Sequence, residues 1–166
     1  MLVYNPVFDA YHCIFRILSI LELSKTVEVD RMRILDFALC FPSVVAKFKL
    51  PKGFSEVRAA AKTYESPYRE AIGANRLFLS LKPTQDGALG CLAGAGFITQ
   101  SELSAGRVTR TALSLPFDIE VRCRSLRASE APFFNTIATK LMEIPLLGED
   151  GLKHRSGLME YRYDPI

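Results

Sequence analysis

The chain has 166 residues, 49% of them hydrophobic and 23% charged, with a formal net charge of +3. That is enough apolar content to bury a core without staples, and too mild a charge balance to require nucleic acid as a partner. Cys13, Cys40, Cys91 and Cys123 lie far apart with no C-x-x-C pair, which argues against zinc and a secreted disulfide framework and points to reduced, buried thiols.

Asn5 and Pro6 start the first helix, the asparagine as cap and the proline at the first helical position. The spacing predicts a helix over 7–23 whose apolar residues, among them Phe8, Tyr11, Ile14, Phe15, Ile17, Leu18, Ile20 and Leu21, wrap most of its circumference and require enclosure by other elements. Asp9, His12 and Arg16 break this cover at three- and four-residue spacing, so they are expected in one line, pairing in sequence and facing a partner. The competing reading is a general acid–base histidine. It lacks a nucleophile or a second carboxylate in the same line. These charges, and the lack of a basic leader, also argue against a signal peptide or a membrane span, so the expected compartment is the cytoplasm.

Asp30 is the expected cap of a second helix over 31–41, ended by Pro42. A turn at Pro51 to Gly53 precedes a short alanine-rich helix opened by Ser55, whose Lys47, Lys49, Lys52, Arg58 and Lys62 surroundings read as a solvated basic face. Next, a helix over 68–81 is expected to stop at Lys82-Pro83, with Thr84 capping another over 85–95. Segments 97–103 and 107–115 read as the strands of a hairpin turned by Ser104-Ala105-Gly106, with the glycine left-handed. Helix, turn, helix and hairpin together describe a winged helix.

The second helix of that unit, TQDGALGCLAGAGF, has no Arg or Lys and is poorly equipped to read bases. Gly87, Gly90, Gly94 and Gly96 are expected to admit a closely packed backbone; they lack the G-K-[ST] of a phosphate loop. Basic charge gathers later, at Arg107, Arg110, Arg122, Arg124 and Arg127, the candidate nucleic-acid contacts. Arg122 and Arg124 alternate with Val121 and Cys123 as on a half-buried strand, with Glu120 or Glu102 as local partners. Ser129 then caps a helix to about 143 with Phe134, Ile137 and Leu141 inward. The glycine-rich tail is expected to fray around His154, with a short strand over 158–163. No residue spacing points to a metal or cofactor.

Asn5, Pro6, Asp9, Tyr11, His12, Phe15 and Arg16, then Leu35, Asp36, Phe37, Phe41 and Pro42, resemble the middle component of three-component ABC-ATPase biological-conflict systems, the group that includes Lamassu-type antiphage defence. Pro67, Tyr68, Leu77, Phe78 and Gln85 to Leu92 extend the likeness. The resemblance implies a winged-helix-like adaptor that bridges an SMC-like or Rad50-like ABC ATPase and an effector, commonly a nuclease, with no catalytic residues to transfer. It adds Asp36 to Asp9, His12 and Arg16 as candidate partner-binding residues. The expected architecture is α/β, a mostly helical α+β chain: an N-terminal helical unit at 1–66, a winged-helix-like module at 67–128, and a C-terminal helix and tail at 129–166. The alternative function is a winged-helix transcriptional regulator that binds DNA.

Overall fold

The computed structural model describes residues 4–65 and 73–159. Asn5 caps as expected, its side chain accepting the Val7 N–H at 3.1 Å, but the turn it opens is a 3-10 turn, Pro6–Phe8. The α-helix proper, α1 (Ala10–Leu21), starts afresh from Asp9, which has extended backbone geometry and accepts the Tyr11 N–H at 2.8 Å. A carboxylate used as an N-cap satisfies an orphan amide and opposes the positive end of the helix dipole.

Strand β1 (Thr26–Glu28) runs directly into α2 (Val29–Cys40). The cap of α2 is Glu28, and Asp30, the expected cap, falls two positions further on in the first turn. Pro42 ends α2 as expected and opens a 3-10 turn, Pro42–Lys47, before α3 (Ser55–Lys62). Lys47, Lys49, Lys52, Arg58 and Lys62 are all exposed.

The predicted helix break at Pro83 is absent: α4 (Ala74–Gly94) is one helix with the proline inside it. Phe78, Leu81, Gln85, Ala88, Leu89 and Leu92 are buried along one continuous stripe that crosses the proline, so tertiary packing outweighs the lost hydrogen bond. Leu79, whose carbonyl loses its partner, lies with Pro83 on the exposed side, where solvent can replace it. Thr84 is no cap; its hydroxyl donates to the Phe8 carbonyl at 3.3 Å. The expected close backbone packing on the glycines also fails. A Cβ at Gly90 or Gly94 would meet nothing within 4 Å, one at Gly87 would make ordinary contact with Ala10, and Gly96 is the left-handed residue that follows the helix.

The hairpin is remodelled. Gln100–Ser104 is a helical turn, α5, and only β2 (Arg107–Thr109) is a regular strand. Gly106 is left-handed as predicted (φ +83°), but it terminates α5. β2 pairs antiparallel with β1, in the register Thr26 to Thr109, Val27 to Val108 and Glu28 to Arg107. Segment 97–99 runs along its other edge through Thr99 N–H to the Thr109 carbonyl, Thr111 N–H to the Phe97 carbonyl and an Ile98–Arg110 bridge. Val27 and Val108 face inward.

Residues 117–129 form a helix, α6 (Phe117–Ser129), instead of the expected strand. Ile119, Cys123 and Leu126, four and three residues apart, face the core, so the inward pattern has the helical period. Asp118 and Glu120 in the first turn and Arg127 in the last suit the helix dipole. Ser129 therefore ends a helix; its hydroxyl donates back to the Leu126 carbonyl. The chain continues through a π-helical turn, Phe133–Ala138, into α7 (Thr139–Glu143), with Phe134, Ile137 and Leu141 buried as expected. The tail does not fray where predicted. α8 (Leu152–Ser156) buries Leu152, Arg155 donates to the Lys49 carbonyl at 2.8 Å, and Leu158 is buried. The expected strand over 158–163 lies mostly outside the described residues.

The result is a mostly helical protein with a two-stranded antiparallel sheet. One hydrophobic cluster draws on all three segments expected at 1–66, 67–128 and 129–166, with Ile17, Ile20, Phe37, Leu81, Phe133 and Leu152 fully buried. α1 packs on α2, α4 and α6. Cys13 and Cys123 are buried and Cys40 is half-buried, but Cys91 is exposed on the open glycine side of α4, which corrects the expectation of four buried thiols.

Candidate functional site

The line Asp9, His12, Arg16 does not exist as a surface row. Asp9 is committed to capping and also accepts the Tyr4 hydroxyl. These two donors, the hydroxyl first, hold its carboxyl below the ordinary range. Arg16 points inward and is only 7% exposed. Its Nε donates to Asp36 Oδ1 at 2.6 Å and its Nη2 to Oδ2 at 3.4 Å, while Nη1 and Nη2 reach back to the Pro6 and Val7 carbonyls. The i,i+4 rule identified neighbours on one helix face, but a buried carboxylate on the next helix is the stronger attractor for a guanidinium shielded from water.

Asp36 is fully buried, so the fold spends it on an internal node. Besides Arg16 it accepts the Gln85 amide at 2.9 Å, and the Cys13 thiol lies 3.8 Å away. The node therefore ties α1, α2 and α4 together and straps the N-terminal 3-10 turn onto them. Burial works against the charge on Arg16. The Asp36 carboxylate and its hydrogen bond, with the nearby Cys40 and Cys13 sulfurs, outweigh it and raise the guanidinium above its ordinary value. Burial, with Asp36 adding to it, pushes the Cys40 thiol up to about 12 and raises Cys13 as well, so neither is a nucleophile near neutral pH.

Sequence reasoning missed two members of this interior framework. Gln85, read as a residue at a helix start, is buried and belongs to the Asp36 node. Arg31 is buried as well; its Nη1 donates to the carbonyls of Leu141 at 3.0 Å and Ile144 at 2.8 Å, capping the C-terminal end of α7, and its Nε meets Glu28 at 2.8 Å. A charge inside an apolar run such as Met32–Ile34–Leu35–Phe37 is the one local signal for such buried struts.

The five candidate nucleic-acid arginines do not form one face. Arg107 is paired with Glu102 at 2.6 Å. Arg110 donates to the Phe97, Thr111 and Leu113 carbonyls and lies over the Phe97 ring. Because residues 122 and 124 sit on a helix and not on a strand, they point about 200° apart. Arg124 pairs with Glu120 at 2.9 Å, while Arg122 lies over the rings of Tyr11 and Phe15, 5.5 and 5.6 Å from their centroids. Arg127 borders a small hollow with Arg110, Glu22 and Glu120.

What the structure does bring together is His12 and Arg122, residues assigned by sequence to different candidate sites. They line a cleft of about 400 Å³ with Arg16, Phe15, Leu39 and Cys40. Tyr11, 49% exposed, stands beside it, its ring edge-on to His12 and Phe15. A second, larger cleft of about 980 Å³ opens by α5 and the 146–153 segment, with Glu28, Asp30 and Asp86 set against Arg33, Arg107 and Lys153. Its charges are largely matched within the chain: Asp86 to Arg33 and Lys82, Glu28 to Arg31, Arg107 to Glu102, and Lys153 to Asp30. Among the described residues no group of His, Cys, Asp and Glu side chains could hold a metal ion, and no helix is long and apolar enough to cross a membrane.

The chain is thus helical, with Arg16, Asp36 and Arg31 used as internal struts and an aromatic–cationic cleft at its surface. The chain belongs to the family described as ABC-three component (ABC-3C) system Middle Component 5, whose model matches residues 2–164. No curated protein and no solved structure matches it.

Proposed function

We propose that this protein is the non-catalytic adaptor of a bacterial antiphage defence complex of the Lamassu-like kind, acting in the cytoplasm. It bridges an SMC-like or Rad50-like ABC ATPase and an effector, in our reading a nuclease. Membership of a middle-component family supports the partner classes. The single structural observation that carries the non-catalytic part is the fate of the strongest candidate line: Asp9 caps a helix and Arg16 is sealed against Asp36. His12 is thereby left without an acid–base relay within its own line.

A winged-helix-like origin, drawn on earlier elements than the 67–128 module expected from the sequence, is supported by the order α1, β1, α2, α4 and then β2 once α3 and α5 are taken as insertions, with 97–99 and β1 on opposite edges of β2. In this reading the wing is shortened to the turn α5. The helix in the recognition position is α4, whose Gln85 is buried and whose Asp86 is neutralised by Arg33 and Lys82, a poor surface for base edges. These features favour protein contact over the DNA-binding regulator.

The test is co-expression of the chain with the ATPase and effector components of its own system, followed by affinity purification and size exclusion. A stable complex containing all three is expected. A lone dimer that binds duplex DNA with a steep salt dependence would replace the adaptor by the regulator.

A further inference from the structure

Most of the described arginines are consumed by the fold. Arg16, Arg33, Arg107, Arg124 and Arg155 each meet a carboxylate, Arg31 meets both a carboxylate and carbonyls, and Arg58 and Arg110 donate to backbone carbonyls. Arg122 is held in a different way. Its guanidinium carbon lies 5.5 and 5.6 Å from the centroids of the Tyr11 and Phe15 rings, and among the described residues it has no ion-pair partner and donates no hydrogen bond. A cation–π contact engages the charge of a guanidinium without consuming its N–H donors, so the fork remains to take a carboxylate through two parallel bonds. Arg76 and Arg127 also lack such bonds among the described residues, but no aromatic face positions them.

The carboxylates near this spot are already engaged. Asp9 is occupied by Tyr4 and by its capping role, Asp36 is sealed inside with Arg16, and Glu130 on the far rim accepts the Tyr64 hydroxyl at 3.4 Å. His12 lines the same cleft. Pro6, Val7, Leu39 and Leu126 give the cleft an apolar part. An exposed tyrosine bearing an arginine, next to an apolar recess, is the composition of an interface anchor.

We propose that Arg122, held over Tyr11, and the cleft it lines dock an acidic–apolar segment of a partner subunit. One Asp or Glu of that segment is taken by the Arg122 fork, with His12 as a second donor. An apolar side chain next to it enters the recess. This rests on the adaptor reading and goes beyond it by naming the contact and the chemistry of the occupant.

The purified chain is titrated by biolayer interferometry against the ATPase component and, separately, the effector component of its system. Arg122→Glu is expected to weaken one of the two interactions by at least about thirty-fold, the loss typical of an anchor residue. Tyr11→Ala should weaken the same one, Arg122→Lys should retain part of it, and Arg124→Glu, elsewhere on α6, should change nothing. Reversing the matching carboxylate on the partner to Lys should restore binding to Arg122→Glu. Arg122→Gln, which removes the charge without reversing it, replaces the glutamate variant if the thermal melt of the latter shows misfolding. Wild-type binding with Arg122→Glu, or Arg122→Gln in its place, within two-fold of it overturns the docking proposal and leaves the adaptor reading standing. Failure of the wild type to bind either component overturns both, and binding of duplex DNA through Arg122 with no loss of partner affinity assigns the surface to nucleic acid instead.

Discussion

Removing Asp36 tests the central packing argument most directly. The carboxylate is fully buried and the Arg16 side chain is 9% exposed, so Asp36→Ala leaves a guanidinium facing a small apolar void. It strips acceptors from Arg16 Nε, Arg16 Nη2 and Gln85 Nε2 at once. A contacting pair of this kind attracts by about 4 kcal/mol at an effective dielectric constant of roughly 20, and breaking a buried pair by deleting one partner costs about 3–5 kcal/mol. For a chain of this size, that corresponds to a fall in Tm of about 6–20 °C. The measurement is urea denaturation followed by circular dichroism, completed as a double-mutant cycle with Arg16→Met. The double variant Arg16→Met/Asp36→Leu is expected within about 2 kcal/mol of wild type, because removing both charges removes the desolvation cost with the attraction. A loss below about 1 kcal/mol for Asp36→Ala, or a double variant as unstable as the sum of the two singles, would show that the node does not hold the three helices as argued.

The remaining predictions probe the struts, the open glycine face and the thiols. Arg31→Ala should cost about 2–3 kcal/mol in chemical denaturation, since the α7 carbonyls lose charged donors; a neutral result would detach α7 from α2. Gly90→Ala should stabilise the isolated chain by about 0.5–1 kcal/mol, as the helix gains propensity and the added methyl meets nothing. Destabilisation there would mean that the face is covered. Gly151→Ala should do the opposite, by more than about 1 kcal/mol, because its Cβ would fall 2.4 and 2.5 Å from the Leu147 and Leu146 carbonyl oxygens; an unchanged melt would refute that tight seat. With a maleimide near neutral pH, Cys91 should label first and Cys13, Cys40 and Cys123 only on unfolding, as mass spectrometry of the labelled peptides can read; early labelling of Cys40 would contradict its packing.

Residues with short-range roles were the legible ones. Asn5, Pro6, Pro42 and the left-handed Gly106 act through their own backbone geometry, and each does locally what its chemistry demands, even where the element around it differs. The stripe of α1 likewise announced a helix buried nearly all round. Errors arose where one pattern satisfied two periods. Val121, Arg122, Cys123 and Arg124 alternate like a strand, yet Ile119, Cys123 and Leu126 also repeat like a helix, and only the core they pack against selects the second. Pro83 misled for a related reason: its cost of a few kcal/mol is real, but a buried stripe running from Phe78 to Leu92 exceeds it.

The candidate site divides in the same way. Family resemblance and the apolar setting of Arg16 and Asp36 marked them as consequential, though as surface residues, and nothing local could reveal that they meet across two helices with Gln85 from a third. Arg122 looked like one of five equivalent cations until the packing of α6 on α1 placed it over Tyr11 and Phe15.

By itself the sequence determined the helical character, the large apolar core and the kinship with middle components, because composition, caps and periodicity act over a few residues at a time. The tertiary structure alone decided which charges are struts and which stay at the surface. A side chain's charge is useful at a surface only if no buried opposite charge claims it first, and that competition is settled between helices distant in the chain.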